Sequence, residues 1–118
     1  MKKKFIKEPV FESYFWFVWD CSLEELRDWV LKKFLWELSI TEGSVDLGKT
    51  ISIEGEKTRD WIVWINHKDN KVSLAHEINH MAFSTLSYQG IHLHKDCEEV
   101  FTSLSTCYLR KCLDALKS

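Results

Sequence analysis

The chain has 118 residues, enough for one domain, with 45% apolar residues, six tryptophans and a formal net charge of −2. Such apolar and aromatic content excludes a disordered chain, and a near-neutral balance without a basic stripe offers nucleic acid no footing. No apolar run approaches the roughly 20 residues that span a bilayer, so no membrane span is expected.

The first twenty residues, MKKKFIKEPVFESYFWFVWD, superficially look like a secretory signal. Lys7, Glu8, Pro9 and Glu12 interrupt its apolar region, and no small-residue cleavage site follows. The stretch therefore reads as part of the fold of a cytosolic protein, with Pro9 ahead of the first structured element. Residues 10–19, dense in aromatic and β-branched side chains, predict a strand ended by Asp20 and Cys21. Trp16 and Trp19 differ in parity along it, so at least one faces away from the main core. Ser22 and Glu25 form a capping box that opens a helix over 23–38, with Leu23, Leu26, Val30, Phe34 and Leu38 on its apolar face.

Two glycines make 39–48 a loop. Residues 49–54 and 60–66 read as a hairpin, and WIVWI makes its second strand the stronger. The next helix runs over 71–87 and ends at Gly90. Asp96 with Glu99 looks like a second capping box, opening a last helix over 97–116. Val100, Phe101, Leu104, Tyr108, Cys112 and Leu116 form its apolar side. The order strand, helix, two strands, helix, helix predicts a single α+β domain over 1–118, a small sheet of about three strands packed on helices. Cys21, Cys97, Cys107 and Cys112 contain no C-x-x-C pair and read as free thiols.

The helix over 71–87 carries SLAHEINHMA, and with it the pattern H-E-x-x-H. Residues four apart share a helix face, so His76 and His80 can point neutral imidazole nitrogens at one ion. Zinc accepts such nitrogens at about 2.0–2.1 Å and, in catalytic sites, takes three protein ligands plus water. Glu77 is offset by about 100° and can reach that water as general base. The uncharged, proline-free neighbours suit a helix beside a buried site. The plain alternative is two core or surface histidines with a stray glutamate.

A third ligand is sought on the last helix. Glu99 is preferred because Thr102, Ser103 and Thr106 continue its polar stripe, while Val100, Leu104 and Leu113 occupy another face. Glu98 is the alternative, and a first-turn carboxylate is also favoured by the helix dipole alone. His92 or His94 could instead complete a three-histidine site, though both also read as surface loop residues, as does His67. His92, His94, Tyr88 and Arg110 are candidates to stabilise an oxyanion.

HEINH, followed by EEVFT, resembles the gluzincin metallopeptidases, in which a glutamate on a later helix completes the zinc site. Glu99, Val100, Phe101 and Thr102 match that later stretch, with threonine in its small-residue place. The short chain also resembles the minimal forms called minigluzincins. It is similar to small phage or prophage proteins with a helix motif, a GI turn and an E-E-x-F-x-x-L helix. Gly90 with Ile91, and residues 98–104, match that pattern, and the likeness covers about residues 60–110. It implies a minimal zincin-like fold, Zn²⁺ held by His76, His80 and Glu99, and Glu77 as general base for peptide-bond hydrolysis. The partner implied is a peptide or protein substrate. The strand at 61–66 would be the sheet edge above the cleft, open to an extended peptide. Two further readings stand beside this one: a zinc-binding regulatory domain without turnover, and a metal-free interaction module.

Overall fold

Alternation along SYFWFVW sends Phe15, Phe17 and Trp19 to one side of a strand and Trp16 and Val18 to the other, and both sides are covered. In the structure, a computed structural model, this strand is the second of four; residues 1–39, 46–55, 59–92 and 94–117 are described. The strands are β1 (Lys2–Glu8), β2 (Ser13–Trp19), β3 (Gly48–Glu54) and β4 (Arg59–Ile65). They form one mixed sheet in the order β1-β2-β4-β3. β1 and β2 pair antiparallel with Phe5 opposite Trp16, and β3 and β4 antiparallel with Thr50 opposite Val63. β2 and β4 run parallel, with Phe17 opposite Val63.

The helices are α1 (Leu23–Phe34), α2 (Lys71–Tyr88) and α3 (Glu98–Leu116). α1 covers one face of the sheet, where Leu23, Leu26 and Val30 meet Val18, Ile51, Ile53, Ile62 and Trp64. α2 and α3 cover the other, where Leu74, Ile78, Met81, Leu86, Leu104 and Tyr108 meet Phe15, Phe17, Val63 and Ile65. The architecture is therefore α+β in three layers. Full burial of one such aliphatic side chain is worth about 1.5–3 kcal/mol, so both faces carry the fold. Trp16 and Trp19 do lie on opposite faces, each packed.

Several expectations are corrected. The sheet has four strands, not about three, because the stretch before Pro9 is itself a strand. Lys2, Lys3, Lys4 and Lys7 are exposed along it while Ile6 and Glu8 are buried, which an edge strand allows. Pro9 lies in the turn between β1 and β2 instead of ahead of the fold. β4 is interior and β3 is the edge, so the strand at 61–66 is not the sheet margin. α1 stops at Phe34, four residues short of expectation. Leu35 takes a left-handed conformation at φ +54° and donates its N–H to Leu31 O. No Asp96–Glu99 box forms; His94 accepts from Asp96 N at the start of a 3-10 turn (Lys95–Cys97), and α3 follows. The Ser22–Glu25 box is present with both its hydrogen bonds. Gly90 follows α2 at φ +81°, a conformation that favours glycine.

The expected loop over 39–48 falls at 40–45, and the hairpin turn at 56–58, outside the described residues. All four cysteines are free. Among the described residues no helix is long and apolar enough to cross a membrane.

Candidate metal centre and cleft

α2 turns Leu74, Ile78, Met81 and Leu86 into the core and leaves His76, Asn79 and His80 exposed. The helical repeat brings the two imidazoles together: their Nε2 atoms are 3.1 Å apart and their rings meet edge-on. Two nitrogens each about 2.05 Å from one ion, at an angle of about 100°, have that separation. The pair therefore fits as two ligands of zinc. With one imidazole donating its N–H to the other, the same distance is an ordinary hydrogen bond.

Glu77 sits on the flank between the core face and the exposed face and is only 9% exposed. Its carboxylate fronts a cleft of about 370 Å³ between α2 and β3, which His80 and Ser84 also line. The strand supplies Gly48, Thr50 and Ser52 to the opposite wall, and Trp61 of β4 forms part of the floor. Thr50 Oγ1 lies 2.8 Å from Glu77 Oε1 and 3.0 Å from the Glu77 carbonyl oxygen, and donates to them. Gly48 makes the close approach possible. A Cβ there would lie 3.1 Å from both Glu77 Cγ and Trp64 O.

The carboxylates of α3 do not join this group. Glu99 lines one groove with Val10, Phe11, Ser103 and Cys107, and another with Thr102, Thr106 and Arg110. The expected polar stripe exists, but it faces solvent on the far side of α3. The phase of α3 is set by Leu104 and Tyr108 in the core and by Ser105, whose hydroxyl donates to Asn79 Oδ1 at 2.6 Å. Glu98 lies two turns before Ser105 and within about 20° of its direction; Glu99 is about 120° away from it. Asp46 lines the cleft as well. Among the described residues, no three His, Cys, Asp or Glu side chains gather closely enough to hold a metal.

The other candidates are scattered. His92 is exposed in the segment after α2. The His94 ring lies against Cys97 Sγ at 3.3 Å and accepts from Asp96 N. Arg110 is on the outer groove of α3, and His67 pairs with Asp69 in the turn before α2. Tyr88 lies over Arg59 at the end of α2. Sequence reasoning missed Thr50 and Ser52. Their signal was the alternation T-I-S-I, which sends two hydroxyls to the face that α2 covers while Ile51 and Ile53 go to α1.

Compared with family models, with curated proteins and with solved structures, the chain finds no match.

Proposed function

We propose that the chain is a zinc-dependent hydrolase of peptide bonds, of the metallopeptidase kind. One observation carries the reading: two histidine Nε2 atoms 3.1 Å apart adjoin a cleft fronted by a buried carboxylate one residue away in sequence. Zinc, when bound, supplies a Lewis acid and brings the pKa of a water toward neutrality. His76 and His80 hold it as neutral imidazoles. Glu77 is the base that takes a proton from water in the cleft and passes it to the leaving amine. Thr50 orients that carboxylate, and Gly48 keeps β3 close enough for it to do so. The unpaired edge of β3 is open to an extended peptide or protein segment as a further strand. For the third ligand, Glu99 or Glu98 of α3 is the candidate, and the phase of α3 favours Glu98.

A zinc-binding domain without turnover is the second reading. Among the described residues no group of three His, Cys, Asp or Glu gathers closely enough to hold a metal, which favours it.

Metal analysis of protein purified without added zinc tests both. About one equivalent is expected, and less than about a tenth would sink both readings. His76→Ala should lose the metal. Glu77→Gln should keep it while cleavage of a peptide library disappears. Metal in the parent protein with no library peptide cut leaves the second reading standing.

A further inference from the structure

The cleft does not end at Glu77 and His80. One turn further along α2, Ser84 also lines it, while β3 runs alongside with Thr50 and Ser52. Trp61 lines both the cleft and a recess of about 230 Å³ beyond it, whose wall includes Arg59, Tyr88 and Glu12.

Two features of this far half bear on what could enter it. Ser52 Oγ is buried at the wall of the cleft and, among the described residues, has no hydrogen-bond partner. A buried polar atom left so is costly, and a group entering the cleft would satisfy it. The second feature is Arg59. Its guanidinium carbon lies 5.5 Å from the Trp61 ring centre and 5.0 Å from that of Tyr88, so two aromatic rings hold it in place. Among the described residues its one ion pair joins Nη2 to Glu54, an exposed carboxylate paired with it across the strands. A surface pair of this kind is weak, and among the described residues Nε and Nη1 have no hydrogen-bond partner, which leaves them as donors for a second carboxylate. Glu12 lines the same recess, so the cationic contact is Arg59 itself and not the recess as a whole.

We propose that the far half of the cleft selects extended peptides bearing a carboxylate, with Arg59 as the anion contact and Ser52 as a hydrogen-bonding contact on the way to it. This rests on the hydrolase reading for its substrate, and it names that substrate's class: acidic peptides, not apolar ones.

The test uses the full chain loaded with zinc and carrying Glu77→Gln, titrated by calorimetry with N-acetylated octapeptides of serine and alanine. One glutamate, or one glutamine in its place, is moved along the octapeptide. At one position glutamate should bind about ten-fold tighter than glutamine, as expected for a charged hydrogen bond. Adding Arg59→Gln should cut that ratio to within about two-fold and leave the glutamine peptides unchanged, while Arg59→Lys keeps part of it. Adding Ser52→Ala should weaken glutamate and glutamine peptides alike. Thermal melts of each variant separate loss of binding from loss of fold. No binding by any peptide, or a ratio that survives Arg59→Gln in folded protein, overturns the proposal. The hydrolase reading fails separately. Protein retaining Glu77 would then cut none of the peptides, although the Arg59-dependent ratio is present.

Discussion

Among the described residues two buried glutamates lie on the α2–α3 side of the sheet, and they are unlike. Glu8, 3% exposed, accepts from the backbone N–H groups of Val10 and Phe11 and from Ser13 Oγ. A chain of hydroxyls continues from it: Ser13 to Tyr108 at 2.6 Å, and Tyr108 to Thr85 at 2.9 Å. Ser13 donates to Glu8 and Thr85 to the Met81 carbonyl oxygen, so the Tyr108 hydroxyl hydrogen is what joins the two, and the chain ties α2 and α3 to the β1–β2 turn. Among the described residues Glu77 has one side-chain partner, Thr50, and it fronts a cleft. Burial does not distinguish the two carboxylates; the number of donors does. A carboxylate with three donors has spent its acceptor capacity on the fold. One with a single donor and an open approach keeps acceptor capacity for a molecule in the cleft.

Mutations should separate the two. Glu77→Gln is expected to lower peptide turnover by about 10²–10⁴-fold with little change in melting temperature, as for loss of a general base. Turnover retained within about three-fold would mean that Glu77 is no more chemical than Glu8. Next in size is the third ligand. Glu98→Ala should weaken zinc binding by more than the roughly 10–100-fold lost with an outer-shell partner, measured by competition with a chromophoric chelator, and Glu99→Ala should not. The reverse result would restore Glu99 and require α3 to turn about its axis on binding metal.

Glu8→Ala should cost about 3 kcal/mol of stability in urea unfolding, because three donors lose their acceptor, and should leave zinc content unchanged. A smaller loss, on the order of 1 kcal/mol, is expected for Tyr108→Phe. Burial is the main cause that raises the Tyr108 phenol above its usual value, with the nearby Glu8 charge adding to it. A raised value in the folded state means that the contribution is whole below the unfolded value of about 10 and is lost as pH climbs through the folded one. Melting temperature should therefore fall in alkali, and that part of the fall should be missing in Tyr108→Phe. The smallest effect belongs to Glu25, whose carboxyl is lowered by its hydrogen bonds with Ser22. Its contribution is present above the unfolded value and fades as pH drops through the folded one. Glu25→Gln should flatten the acid end of the stability curve slightly.

The same contrast shows what could be read before folding. The Ser22–Glu25 box, the β3–β4 hairpin and α2 each follow from local signals that the structure repeats within a residue or two. β1 escaped notice because four lysines hide a strand whose inward positions are Ile6 and Glu8, one of them charged. Its turn closes with Glu12 at φ +52°, where a glycine would have announced it. The end of α1 was hidden in the same way by Leu35. Within the site, His76, His80 and Glu77 are legible because one helix fixes their spacing. Glu98 against Glu99 is not, because the choice depends on which way α3 is rotated. That is decided by Ser105 meeting Asn79 and Tyr108 meeting Thr85, contacts between helices that share no local pattern.

The two open margins of the sheet meet solvent on different terms. Along β1, Lys2, Lys3, Lys4 and Lys7 project into water. Two copies approaching there would bring rows of like charge together, and fibril-like stacking is opposed from the outset. β3, GKTISIE, carries no such row. Replacing the β1 lysines with threonine should therefore seed aggregates in concentrated solution while leaving the receptive margin, and whatever lies along it, as it was.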